Sequence, residues 1–268
     1  MKIFKSNKSD KSDKSDKSNK SNKAGKLRKI IKIFAIVLIS LVCLAMIFHK
    51  QLGYFVTDMT IRHVSKIEGD RLEPTYDIEN VQPYSAEAAV EAALAAPHVR
   101  AAGQISIPTV GMNLPIYEGT NDVHLYLGAA ESRPRSETTA GSEGNYTLAS
   151  HYIAHRGSLF EPLPRVSVGD EIYVAYGSNV YKYVVDRKEQ IDISDYEWLE
   201  DKGKDKLITL YTCVSLALPD ARWIVQGHLE KSYDLRKASD AEVLKQFEID
   251  ETTLKGTWLE TYEYLRPE

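Results

Sequence analysis

The feature that most constrains this chain is an uncharged apolar run near its N-terminus. Residues 33–48 read IFAIVLISLVCLAMIF, and Ile30, Ile31 and Lys32 extend the run to nineteen positions. A helix that crosses a bilayer needs roughly 20 apolar residues. A cleaved signal peptide is the alternative, but its apolar run is usually about 7–15 residues long and ends at a small-x-small site. No clear site of that kind follows here, so residues 30–48 are predicted to be an uncleaved transmembrane anchor.

Charge divides the chain at this run. Residues 1–32 carry twelve basic and three acidic side chains, whereas the remaining 236 residues carry 22 basic and 35 acidic ones. The positive-inside rule therefore predicts a cytoplasmic N-terminus and an extracellular position for residues 49–268. An acidic body argues against nucleic acid as a partner, because phosphate binding needs positive charge. Residues 1–29 contain a Lys-Ser-Asp/Asn repeat without core-forming side chains, which predicts a disordered tail.

The pattern changes again after the apolar run. Residues 49–83 are polar and irregular, which predicts a stalk with a short helix around 55–66. A compact domain is predicted over residues 84–232, beginning with an alanine-rich helix over 85–96 that Ser85 can cap.

A C-terminal extension is predicted to be helical over residues 233–268. Ser239 and Glu242 have the spacing of a capping box at a helix start. A second apolar stripe with helical spacing follows, at Leu254, Trp258, Tyr262 and Leu265.

Between these helical parts the hydrophobic period is two, which is typical of strands. Glycine-rich turn signals separate eight short candidate strands. This number of strands in about 130 residues predicts a closed or nearly closed antiparallel barrel, or a sandwich. The candidate strands are 103–108, 113–117, 124–127, 146–150, 171–176, 179–186, 207–213 and 222–229.

The chain has only two cysteines, Cys43 in the apolar run and Cys213 in the outer part. This number excludes a disulfide scaffold and a four-cysteine zinc module. Cys213 stands at the end of one candidate strand, His151 follows the end of another, and Arg222 opens a third. Amide cleavage needs a thiolate nucleophile and a proton donor to the leaving amine, which Cys213 and His151 can supply. Arg222 stays charged and can hold a developing oxyanion.

The run Thr209-Leu210-Tyr211-Thr212-Cys213 resembles the TLxTC motif of sortases. The order of His151, this motif and Arg222 is similar to the order in that family, and the likeness extends over roughly residues 100–230. A single N-terminal anchor and a short C-terminal tail resemble class A, the housekeeping class. The resemblance implies a mostly β fold, an eight-stranded sortase-like barrel with short flanking helices.

The resemblance also implies a function. A sortase is a membrane-anchored cysteine transpeptidase that cleaves LPXTG-type sorting signals of surface proteins between Thr and Gly. It forms a thioacyl enzyme, here on Cys213, which the amine of a peptidoglycan precursor resolves. His151 and Arg222 are then the other catalytic residues, and Thr212 and Ser150 are the expected substrate-binding residues. The expected partners are therefore LPXTG-type proteins, that amine and the lipid bilayer.

Several alternatives remain at this point. Arg222 is also explained as a solvent-facing charge, Thr212 as a β-branched strand residue, and His155 is a rival to His151. Another exported cell-wall cysteine enzyme, such as an L,D-transpeptidase or a peptidase, is a second function. An L,D-transpeptidase has a Gly-Cys-x-Arg stretch that is missing here, and a papain-like peptidase places its Cys before its His. The third is a non-catalytic membrane-anchored binding module.

Calcium is the one metal that the resemblance raises, because some class A members bind it through acidic loop residues. No ligand spacing stands out among the acidic residues here, and we expect no cofactor and no required metal. The available carboxylates are Glu131, Asp170, Glu189, Asp192, Asp195 and Glu197.

Overall fold

The computed structural model describes residues 12–63, 73–76, 81–201, 203–215 and 218–247. The chain divides into two units, one up to His49 and the other from Lys50 onward. The first unit contains helix α1, Ser12–Ile47. Among the described residues one helical stretch, Arg28–Ile47, is long and apolar enough to cross a bilayer, with a mean hydropathy of 2.9. Its side chains are exposed, as lipid contact requires.

Helix α1 also corrects the prediction of a disordered tail. The structure describes a helix from Ser12, whereas the sequence pattern had predicted disorder up to residue 29. A helix, once nucleated by an apolar segment, propagates at little cost through lysine-rich sequence. Residues 1–11 lie outside the described residues.

The second unit is built on a closed barrel in the order β1-β2-β3-β4-β7-β8-β6-β5, so the predicted eight-stranded barrel is confirmed. Pairs β2–β3 and β4–β7 are parallel and the other pairs are antiparallel. The strands are β1 Gly103–Ile107, β2 Met112–Glu118, β3 Ala129–Glu131, β4 Gly144–Ala149, β5 Glu171–Tyr176, β6 Asn179–Asp192, β7 Lys206–Ser215 and β8 Leu218–Asp234.

Alternation along the strands separates two apolar clusters. Ile208 and Leu210 of β7 point into the barrel, where they join Leu148 of β4 in the main core. Tyr211 of β7 and Ile224 of β8 point outward into a second cluster. Successive side chains of a strand face opposite ways, so residue 213 shares the outer face of Tyr211.

The predicted strand over residues 124–127 is wrong. These residues belong to helix α4, Asp122–Leu127, where the Asn121 side chain accepts a hydrogen bond from the His124 N–H at 3.0 Å as an N-cap. His124, Leu125, Tyr126 and Leu127 are all buried, so the helix has no polar face to reveal its period. The eighth strand is instead β3, whose three residues give no readable alternation.

Two further helices flank the barrel. The helix predicted over 85–96 is confirmed as α3, Ala86–Ala95, with Ser85 as the N-cap. Helix α2, His49–His63, occupies the first part of the predicted stalk and overlaps the short helix predicted around residues 55–66. It packs on the domain: the hydroxyl oxygens of Thr57 and Tyr84 are 3.1 Å apart, which is a hydrogen-bond distance. The sequence predicts a stalk here because α2 contains many polar residues, and its contact with Tyr84 cannot be read from the local pattern.

The C-terminal extension begins with a 3-10 helix, Ala238–Phe247, that packs on Tyr173 and Val180. Ser106 of β1 donates a hydrogen bond to the Gln246 carbonyl at 2.6 Å. Ser239 donates to its neighbour Asp240 at 3.2 Å. The second predicted apolar stripe lies outside the described residues. Shorter 3-10 turns are Ala96–His98, Pro108–Val110, Leu163–Arg165 and Tyr196–Trp198.

Candidate active site

Two parallel strands bring the predicted histidine and cysteine to one edge of the barrel. β4 and β7 run side by side with Ala149 opposite Tyr211, and the chain continues to His151 on one side and Cys213 on the other. The Thr212 hydroxyl donates a hydrogen bond to the Ser150 carbonyl at 2.7 Å. This bond extends the pairing of the two chain segments beyond the last paired residues.

The next strand brings the arginine. β8 is antiparallel to β7, and Arg222 stands directly opposite Cys213 in the register. Cys213 is partly exposed, on the face of the barrel that points away from the main core. Neighbouring positions on three adjacent strands thus supply an imidazole, a thiol and a guanidinium.

His151 is buried between aromatic rings. It is 6% exposed, with the Tyr126 ring 4.5 Å away and the Tyr84 ring 6.1 Å away between centroids, both edge-on. Its Nε2 atom has no hydrogen-bond partner among the residues that the structure describes. Burial lowers the pKa of His151 to about 4, because the charged imidazolium loses its hydration there. The ring is therefore neutral near neutral pH, which is the form in which a ring nitrogen can accept a proton.

His151, Cys213 and Arg222 line one cleft of ≈ 220 Å³. Its floor comes from the ends of β4 and β7, and a segment before α3 forms one wall. The lining residues are Val81, Gln82, Pro83, Tyr84, Thr120, Leu125, Ala149, Ser150, His151, Tyr152, Ile193, Tyr211, Thr212, Cys213, Ser215 and Arg222.

The loop between β6 and β7 closes another side of the cleft with Ile193. This loop is held to the start of β4, where the Asn145 amide donates to the Trp198 carbonyl at 2.9 Å. Arg133 adds an ion pair to Asp201 at 2.6 Å. Arg133, one of the arginines other than Arg222, therefore supports a loop beside the cleft.

The structure brings together all five residues singled out in the sequence: Cys213, His151, Arg222, Thr212 and Ser150 all line the cleft. The hydroxyls of Thr212 and Ser150 donate to backbone carbonyls, Ser150 to Gly128 at 2.7 Å. Their assignment to substrate binding stays a prediction, as do the catalytic roles of the other three.

His155, the rival to His151, has a different position. It is exposed and stacks on Tyr54 of α2 at 6.2 Å between ring centroids. His155 is absent from the cleft lining, so the geometry favours His151 as the partner of the thiol.

Sequence reasoning missed the aromatic wall of the site. Tyr84 is the first residue of the predicted domain, before its first helix, and Tyr126 lies in the predicted strand that is helix α4 in the structure. Aromatic residues at such positions give no local signal for a catalytic cleft. Only a prediction of long-range contacts would have found them, because they reach His151 from distant parts of the chain.

Two of the acidic candidates for calcium, Glu131 and Asp192, have other partners. Glu131 is buried, accepts a hydrogen bond from Tyr146 at 2.9 Å and is bound by Arg135 at 2.8 Å. Asp192 accepts hydrogen bonds from the Ser194 N–H and hydroxyl. Within the described ranges no group of three His, Cys, Asp or Glu side chains could hold a metal ion.

Comparison with known proteins agrees with this geometry. Residues 105–230 match the family model of the Sortase domain. Sortase A of Listeria monocytogenes is 34% identical over 165 residues, which cover 62% of this chain and 72% of that protein. Sortase A of Streptococcus agalactiae is 31% identical over 209 residues, which cover 76% and 81%. The crystal structure of the Listeria enzyme superposes with a TM-score of 0.50 at 33% identity and covers 56% of this chain and 99% of that chain.

Proposed function

Because this chain belongs to class A of the sortase family of cysteine transpeptidases, we propose that it cleaves an LPXTG-type sorting signal between Thr and Gly. Cys213 carries the acyl group as a thioester, and the amine of a peptidoglycan precursor resolves it. The observation that carries this proposal is the register that sets Cys213 opposite Arg222 and beside His151 in one cleft. Surface proteins bearing the signal and the precursor amine are the proposed partners.

Proton movement follows from the buried imidazole. Near neutral pH His151 is neutral because burial lowers its pKa, and in this form its ring nitrogen can take the thiol proton as the sulfur of Cys213 attacks the Thr carbonyl carbon. The carbon–nitrogen bond to Gly then breaks, and His151 returns the proton to the departing amine. In the second half His151 accepts the proton of the attacking amine, the new amide forms and the thiol is restored.

Arg222 is proposed to stabilise the oxyanion of both tetrahedral intermediates. It lies across from Cys213 in the β7–β8 pairing, and its permanent charge needs no proton transfer. Charge stabilisation in a partly buried site is stronger than in water, since fewer water molecules screen it.

Helix α1 supports a proposed single-pass location in the cell membrane. The stretch Arg28–Ile47 has the length and hydropathy of a span. By the positive-inside rule the basic residues that precede it favour a cytoplasmic N-terminus, with residues 49–268 outside, where sorting signals and wall precursors meet.

The experiment is intact-mass analysis of residues 50–268 incubated with an LPXTG-type peptide. We expect a mass increase equal to the peptide acyl part through Thr, and none with Cys213→Ala. Arg222→Lys keeps the charge but loses the planar fork, so its adduct forms more slowly. An adduct on Cys213→Ala, or no adduct and no cleavage by folded wild-type protein with several sorting-motif variants, would refute the proposed function.

A further inference from the structure

Helix α2 has two faces with different surroundings. Gly53 and Thr57 are buried on one of them. Leu52, Phe55 and Met59 are 55%, 61% and 52% exposed. Their spacing of three and four residues aligns these apolar side chains on one side of the helix. A row of exposed large apolar side chains marks an interaction surface; we call these three residues the α2 stripe.

The other face of α2 is fixed to the catalytic unit. A side chain at Gly53 has no room, since a Cβ there would lie 2.8 Å from the Ala86 Cβ. Thr57 shares a hydrogen bond with the Tyr84 hydroxyl at 3.1 Å, and the Tyr54 ring lies 5.5 Å from the Tyr84 ring. Tyr84 lines the cleft, so α2 supports one wall of the catalytic site.

We propose that the α2 stripe lies in the outer headgroup layer of the membrane. The inference rests on the proposed anchoring of the chain by α1. Leu52 follows Ile47, the last residue of the candidate span, by five residues, which reach at most roughly 17 Å even when extended. Each headgroup layer is about 5–8 Å thick, so the stripe begins within reach of this layer. Helices with one apolar and one polar or packed face lie in this layer with the apolar face immersed.

Lipid is the proposed occupant of the α2 stripe because its local concentration beside the anchored helix is high. The anchor holds every copy of α2 beside lipid, whereas a second copy of the chain must diffuse to meet it. Lipid therefore covers the stripe first. Tyr84 contacts both α2 and His151, so one side chain links the helix that carries the stripe to the cleft.

The test uses the full chain in phospholipid vesicles and an indole placed in the stripe by Phe55→Trp. Vesicles with ordinary acyl chains are compared with vesicles of dibrominated lipid, because bromine quenches an indole only near contact. Val168→Trp is the matched control, since Val168 is an apolar residue that is 67% exposed and lies outside α2. We expect the indole introduced at position 55 to lose most of its added emission, and the one at position 168 to keep it.

Vesicle flotation and peptide cleavage are measured on the same samples. If the chain floats and cleaves its peptide but the indole at position 55 keeps its emission, the membrane contact of α2 is overturned and the anchor and the activity stand. If the emission of the indole at position 55 changes with the number of protein molecules per vesicle and not with bromine, a second copy of the chain covers the stripe. This result also overturns the proposal. A chain that cleaves peptide but does not float overturns both the anchor and the stripe contact.

Discussion

The burial of His151 makes the stability of the catalytic unit depend on pH. In the unfolded chain this imidazole takes up its proton near pH 6.5, whereas in the folded protein burial lowers its pKa to about 4. The unfolded state therefore binds more protons in this interval, so the free energy of unfolding falls as the pH is lowered through it. A shift from 6.5 to about 4, at about 1.4 kcal/mol per unit, gives a total loss of about 3 kcal/mol.

Urea unfolding of residues 50–268 measures this contribution. By about pH 5 roughly 2 kcal/mol of it is lost relative to about pH 7. His151→Asn removes the titrating group, so the variant loses about 2 kcal/mol less than wild type over the same interval. His155→Asn is the matched control, because the exposed His155 loses little hydration on folding.

Equal losses in wild type and His151→Asn would refute the reasoning. Such a result would mean that water reaches the imidazole in the folded protein, despite the flanking rings of Tyr84 and Tyr126. A smaller loss in His155→Asn than in wild type would likewise contradict the assignment of the pH dependence to His151.

Two further predictions concern the strand ends and the acidic loop. Thr212→Val removes the 2.7 Å bond to the Ser150 carbonyl and leaves that buried group unpaired, so urea unfolding should show a loss of about 1–3 kcal/mol together with slower peptide cleavage; unchanged stability would mean that water replaces the hydroxyl. Because Glu131 is already bound by Arg135 and Tyr146, a chelator should leave the cleavage rate unchanged, and a fall that added calcium reverses would contradict this.

Most strands were predictable because their information is local. The candidate strand 171–176 coincides with β5, because the Gly169-Asp170 turn marks its start and the Gly177-Ser178 turn marks its end. Helix α4 could not be predicted in this way, because four successive buried residues do not show the alternation of polar and apolar positions that is typical of a helix. β3 was missed for a related reason, since three residues are held in place by their neighbours β2 and β4.

Three features can be predicted from the amino-acid sequence alone: the anchor-like apolar run, most of the strands, and the order of His151, Cys213 and Arg222 along the chain. Each of these depends on residues close together in the chain, whose composition and period can be read directly. The parallel pairing of β4 and β7, which joins Ser150 to Thr212 across 62 positions, is visible only in the tertiary structure. The same is true of the aromatic rings that bury His151, because such contacts arise from barrel closure and not from a local pattern.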